Sequence, residues 1–131
     1  MPGDRVISIV DDDESVREAI ESLMRSVGLN VQVFASAEDF LHSHHLEGTS
    51  CLILDMRMPG MNGLELQRRL AAGGYRIPII FISARRDDQI RAQALRAGAV
   101  DFLFKPFSEQ ALVTAVHAAL GHSKHGAPAV E

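Results

Sequence analysis

The chain is sparing in several features, and each scarcity excludes something. A single cysteine, Cys51, stands among 131 residues. No internal disulfide can form, which fits a reducing cytoplasm. No apolar run approaches the ~20 residues needed to span a bilayer. The start, Met1-Pro2-Gly3-Asp4-Arg5, lacks the basic-then-apolar pattern of a secretory leader. Positive charge is not in excess: the formal net charge is -4. Phosphate contacts need a basic surface, so this domain is not expected to touch nucleic acid directly, although a separate domain could. No Gly-x-Gly-x-x-Gly or Walker A pattern offers a nucleotide cradle. The six histidines, His42, His44, His45, His117, His122 and His125, share no metal spacing with a carboxylate. His44-His45 reads as an exposed helix end, and the tail histidines read as solvated.

What the chain does have is apolar runs that end in chemistry. Val6-Ile7-Ser8-Ile9-Val10 runs straight into Asp11-Asp12-Asp13. Carboxylates side by side at the end of a buried strand repel one another, and losing water costs each of them more. Such a cluster persists where a positive partner belongs, and a hard divalent cation is the natural candidate. Cys51-Leu52-Ile53-Leu54 ends at Asp55, Ile79-Ile80-Phe81-Ile82 ends at Ser83, and Val100 through Phe104 ends at Lys105-Pro106. Acid, acid, hydroxyl and amine, each at a strand end, describe one site.

The runs alternate with helix-period segments. Strands are expected at Arg5–Val10, Asn30–Phe34, Ser50–Leu54, Ile77–Ile82 and Val100–Phe104. The first helix is expected over Glu14–Val27, where Val16, Ile20, Leu23, Met24 and Val27 keep helical spacing and Gly28 is a stop. Further helices are expected from the Ser36 cap to about Leu46, over Gly63–Ala72, from the Asp87 cap to about Ala97, and from the Ser108 cap through Leu120. Asp13 reads as a helix-start residue favoured by the helix dipole. Cys51, inside an apolar strand, reads as a small buried hydrophobe. Residues 1–121 are expected to form one domain. Residues 122–131 read as a flexible tail or the start of a linker to an absent output domain.

With 47% hydrophobic and 23% charged residues, the composition is that of an ordinary globular domain. Five strands in strict alternation with five helices imply an α/β fold, a doubly wound parallel sheet covered on both faces. Right-handed crossovers bring every strand's C-terminal end to one edge, where such sheets bind ligands. Every strand-end polar residue named above, from Asp11 to Lys105, lies at that edge.

These residues resemble the receiver domain of bacterial two-component response regulators. The resemblance is carried by Val10-Asp11-Asp12-Asp13, by Leu54-Asp55-Met56-Arg57-Met58-Pro59-Gly60-Met61-Asn62-Gly63, by Ser83-Ala84, and by Gly98 through Phe107. The Ala99-Val100-Asp101-Phe102 stretch and the Met-Arg-Met-Pro loop look most like regulators of the nitrogen-fixation type. The resemblance implies the flavodoxin-like (βα)5 fold with strand order 2-1-3-4-5. It implies Asp55 as phosphoacceptor, taking a phosphoryl group from a sensor histidine kinase. Mg²⁺ (or Mn²⁺) would be held by Asp12, Asp55 and the Arg57 carbonyl, with Asp11 acting mainly through water. Lys105 and Ser83 would contact phosphoryl oxygens, and the Lys105–Pro106 peptide would be cis. The module would signal rather than act as an enzyme, apart from Mg²⁺-dependent self-phosphorylation from small donors and slow autodephosphorylation.

The resemblance also implies a switch. Ser83 would move toward the phosphoryl group, and Phe102, tyrosine in many relatives, would turn inward on packing alone. The surface of helix four, strand five and helix five would respond. Arg91, Arg96, Asp101 and Glu109 there could form self-complementary pairs in a phosphorylation-dependent homodimer. Arg57 and Arg85 could overhang the site mouth and tune phosphoryl lifetime. A stand-alone regulator acting through partner binding or as a phosphorelay intermediate is the alternative to transcription control through an output domain. A flavodoxin-type cofactor protein is disfavoured, because Asp11, Asp12 and Asp13 would repel phosphate after strand one. An aspartyl-phosphate phosphatase is disfavoured too, because Arg57 stands where its second acid would be.

Overall fold

The computed structural model describes residues 5–125. Its elements follow in the order β1 (Val6–Val10), α1 (Glu14–Ser26), β2 (Asn30–Phe34), α2 (Ala37–Leu41), β3 (Thr49–Asp55), α3 (Gly63–Ala72), β4 (Ile79–Ser83), α4 (Asp88–Arg96), β5 (Asp101–Phe104) and α5 (Glu109–His125). The strands form one sheet of order β2-β1-β3-β4-β5, and every pairing is parallel.

Strand pleating divides the core in two. Ile7 and Ile9 of β1, Cys51 and Ile53 of β3, and Ile80 and Ile82 of β4 face α1 and α5. Leu52 and Leu54, then Ile79 and Phe81, face α2, α3 and α4. The central strand is apolar on both faces because helices cover both. Cys51 is fully buried, and burial pushes its thiol up to about 12.

Each helix start is capped by a side chain. Asp13 Oδ1 accepts from the amides of Ser15 and Val16 at 2.9 and 3.4 Å. Asp87 Oδ1 accepts from Gln89 and Ile90, both at 3.1 Å. Asn62 and Glu65 form a reciprocal capping box on α3. Ser36 and Ser108 accept from Asp39 and Ala111, each at 3.0 Å.

Two elements depart from the sequence expectation by more than two residues at an end. Helix α2 stops at Leu41 rather than near Leu46. Ser43 explains it: its hydroxyl donates to the Phe40 carbonyl at 2.7 Å and accepts the His45 amide at 3.2 Å. The side chain thereby takes over groups that the next turn would need. His44 and His45 are exposed as expected, but in turns rather than on a helix end. Helix α5 continues past Leu120 to His125. Gly28 ends α1 with φ +86°, whereas Gly121 is not among the glycines of positive φ and does not act as a stop. The part of the tail reading that falls on residues 126–131 lies outside the described residues.

The first residue of α3 is packed against the end of β3. A Cβ on Gly63 would stand 2.8 Å from Phe81 Cε1 and 3.0 Å from the Asp55 carbonyl oxygen. Gly63→Ala is expected to lose roughly 1–3 kcal/mol of stability through overpacking. Urea unfolding measures it, and an unchanged midpoint would show that this corner yields freely.

Candidate phosphoacceptor site

The register builds the site. Val10 pairs with Leu54 across β1 and β3, so the next residues, Asp11 and Asp55, end adjacent strands side by side. Oxygens of Asp11, Asp12 and Asp55 lie within 4.8 Å of one another. Asp11 is fully buried and Asp55 nearly so, while Asp12 is exposed. Asp13 points its carboxylate into the α1 cap instead, and its hydrogen bonds to the Ser15 hydroxyl and the Val16 and Ser15 amides hold it below the usual carboxylate range.

One ammonium faces these acids. Lys105 Nζ lies 3.1 Å from Asp11 Oδ2 and 3.9 Å from Asp55 Oδ1. Its backbone amide donates to the Ser83 carbonyl at 2.7 Å, and the Lys105–Pro106 peptide is cis. Asp11 is further held by the Asp13 amide at 2.9 Å on its Oδ1. Arg17 Nη1 donates to the Asp11 carbonyl at 2.8 Å. Sequence reasoning missed Arg17; its one signal is its place a turn beyond the Asp13 cap, where a long side chain can reach back to β1.

Asp55 carries the strain of the cluster. Burial first, then the Asp11 charge, push its carboxyl up to about 7, while Lys105 and the Arg57 amide pull it down. That amide approaches Asp55 Oδ1 at 3.4 Å. Three carboxylates against one ammonium leave room for a further cation. The donors are hard oxygens already gathered, and Mg²⁺ takes six oxygens at ~2.0–2.1 Å while keeping several waters. The residues present therefore fit such an ion.

Ser83 is buried at the end of β4, but its hydroxyl turns to its own loop. It donates to the Arg85 carbonyl at 3.0 Å and accepts the Arg85 amide at 3.2 Å. Phe102 already stands inward, 3% exposed, with its ring centroid 5.6 Å from Phe81 and 5.5 Å from Phe104. Arg57 and Arg85 are exposed and line one cleft of about 290 Å³ together with Ser83. Arg91, Arg96 and Glu109 are exposed and Asp101 is half-buried.

The raised Asp55 carboxyl sets a pH dependence. A carboxyl whose folded value exceeds its unfolded one contributes stability that is complete below the unfolded value and is lost as pH rises through the folded value. Here the window runs from about 3.8 to about 7. In metal-free buffer Asp55→Asn is expected to be more stable than wild type at pH 8, with the gap shrinking toward pH 4. Urea midpoints across that range test it; a gap independent of pH would contradict the assigned cause.

Comparison with known proteins identifies the family. The family model described as response regulator receiver domain matches residues 7–117. Response regulator protein TodT of Pseudomonas putida is 52% identical over 115 residues, which cover 88% of this chain and 51% of that protein. Transcriptional regulatory protein FixJ of Azorhizobium caulinodans is 39% identical over 94% of this chain and 58% of its own length. Among solved structures, response regulator StyR aligns with a TM-score of 0.86 at 45% identity, covering 95% of this chain and 63% of that one. The chain spans about half the length of the curated relative TodT. A match over most of its length, on a sheet of the expected order with its acids at the expected edge, makes this chain a member of the response regulator receiver domain family.

Proposed function

We propose that Asp55 is the residue that takes the phosphoryl group, from the phosphohistidine of a sensor kinase. The observation that carries this reading is the crowding of Asp11, Asp12 and Asp55 around the single ammonium of Lys105. An Asp55 carboxylate oxygen forms the new P–O bond as the donor's P–N bond breaks. Lys105 stands close enough to both acids to leave Asp11 and neutralise a phosphoryl oxygen instead. Ser83 exchanges the Arg85 carbonyl for a second phosphoryl oxygen, and the Phe81–Phe102–Phe104 ring cluster transmits that shift by packing, since Phe102 has no hydroxyl. Asp11, Asp12, Asp55 and the Arg57 carbonyl would hold Mg²⁺ (or Mn²⁺). When bound, the ion offsets charge on the anionic donor and in the transition state.

The relatives' names and lengths support placing this receiver in a larger transcription regulator, and a regulator of that kind works in the cytoplasm. No helix among the described residues is long and apolar enough to cross a membrane. The charged surface of α4, β5 and α5 is the candidate for phosphorylation-driven pairing.

Incubation with Mg²⁺ and acetyl phosphate is expected to add the mass of one phosphoryl group to wild type and none to Asp55→Asn, read by intact mass spectrometry. Addition to both, or to neither, would overturn the assignment. Gel filtration of the beryllofluoride-treated protein reads the pairing, and an unchanged size at high concentration counts against it. Arg57 and Arg85 extend phosphoryl lifetime by gripping the group or shielding it from water. Arg57→Ala and Arg85→Ala are each expected to lose label about three- to tenfold faster, equivalent to ~1 kcal/mol of exposed charge contact. Unchanged rates would remove both from that role.

A further inference from the structure

The loop between β3 and α3 carries Arg57, two residues past Asp55. Its ends are tied by backbone: the Met56 amide donates to the Ile82 carbonyl at 2.9 Å and the Gly63 amide to the Met56 carbonyl at 3.0 Å. Met56 and Met58 are buried and anchor it from beneath. Pro59 has no N–H to offer. The middle of the loop is held from elsewhere: the Met61 amide donates to Glu38 Oε2 at 3.0 Å.

Glu38 belongs to α2, 23 residues earlier in the chain. Among the described residues it is the one side chain outside the β3–loop–α3 segment that bonds this loop's backbone. Its platform is firm, because Ser36 caps α2 and Phe40 is fully buried with its ring 5.3 Å from Phe34. The loop is shaped to receive it. Gly60 has φ +77°, and a Cβ there would stand 2.7 Å from Glu38 Oε2. A glycine at this position thus meets two demands, the left-handed backbone and the close approach of a carboxylate. The Glu38 carboxyl is held below the usual range by its own amide and then by that of Met61, so it accepts as an anion at neutral pH.

We propose that Glu38 is a positioning residue for the acidic pocket: its hold on the Met61 amide fixes the Met56–Asn62 loop, and with it the Arg57 carbonyl that completes the cation's oxygen set. The inference rests on the cation reading given above. It makes α2, which supplies no ligand, a determinant of cation affinity.

The test uses the full chain as wild type, Glu38→Ala, Glu38→Gln and Gly60→Ala. Two quantities are read well below the melting temperature: Mg²⁺ affinity by calorimetry, and exchange of the Met61 amide in metal-free protein. Glu38→Ala is expected to speed that exchange and weaken Mg²⁺ binding roughly 3- to 10-fold, the low end for a residue that orients a metal ligand. Glu38→Gln keeps a carbonyl oxygen able to accept the Met61 amide and is expected to restore most of both. Gly60→Ala, which displaces the carboxylate while leaving it present, is expected to follow Glu38→Ala. Wild-type Mg²⁺ affinity in Glu38→Ala overturns the proposal, since a role in folding alone moves the melting temperature and not the affinity. A Glu38→Gln variant as weak as Glu38→Ala overturns it as well. If wild type itself takes up no Mg²⁺, the cation reading falls and this inference with it; that failure is distinguishable because wild type then fails beside its variants.

Discussion

Like charges held closer than they would choose are the constraint from which the rest of this molecule follows. Asp11 and Asp55 cannot move apart, because Asp11 directly follows β1, Asp55 ends β3, and the two strands are locked in register up to Val10 and Leu54. They cannot escape to water either, because both are buried. The sheet therefore stores electrostatic repulsion at one edge, and the response is visible in the raised carboxyl of Asp55 and in the reach of Lys105 toward both acids. Forming the hydrophobic layers on either face of β3 is what holds this unfavourable edge in place.

The remaining elements serve that edge by fixing backbone. Arg17 bonds the Asp11 carbonyl, the α1 cap draws Asp13 away from the pocket, and Ser83 meets Lys105 through a main-chain bond. None of these contacts is strong singly. Together they make the positions of a few oxygens and one nitrogen a property of the fold rather than of flexible side chains.

Much of this was legible in the residues alone. Alternating apolar runs and capped helices announced the α/β architecture, since period and cap are local properties. Strand ends carrying Asp11, Asp55, Ser83 and Lys105 announced the pocket, because the topology brings such ends together whatever lies between. Strand order came from the family resemblance, since periodicity alone does not rank neighbours in a sheet. Less visible were features that depend on distance in space. The early stop of α2 depends on where the Ser43 hydroxyl turns, and the run of α5 through Gly121 on a backbone angle that glycine leaves free. Ser83 facing Arg85 rather than the acids is a rotamer choice that composition does not encode. The bond from Glu38 to Met61 joins segments 23 residues apart, with no periodicity linking them.

The thiol of Cys51 lies in the middle of the central strand, sealed by both layers and with its ionisation suppressed. As long as the sheet is intact it offers alkylating reagents no thiolate to attack. The molecule thus carries a single internal tag that only global opening can uncover. Its surface is clear of competing sulfhydryls among the described residues, so a cysteine introduced at a chosen helix could bear a spectroscopic label with the native residue left untouched.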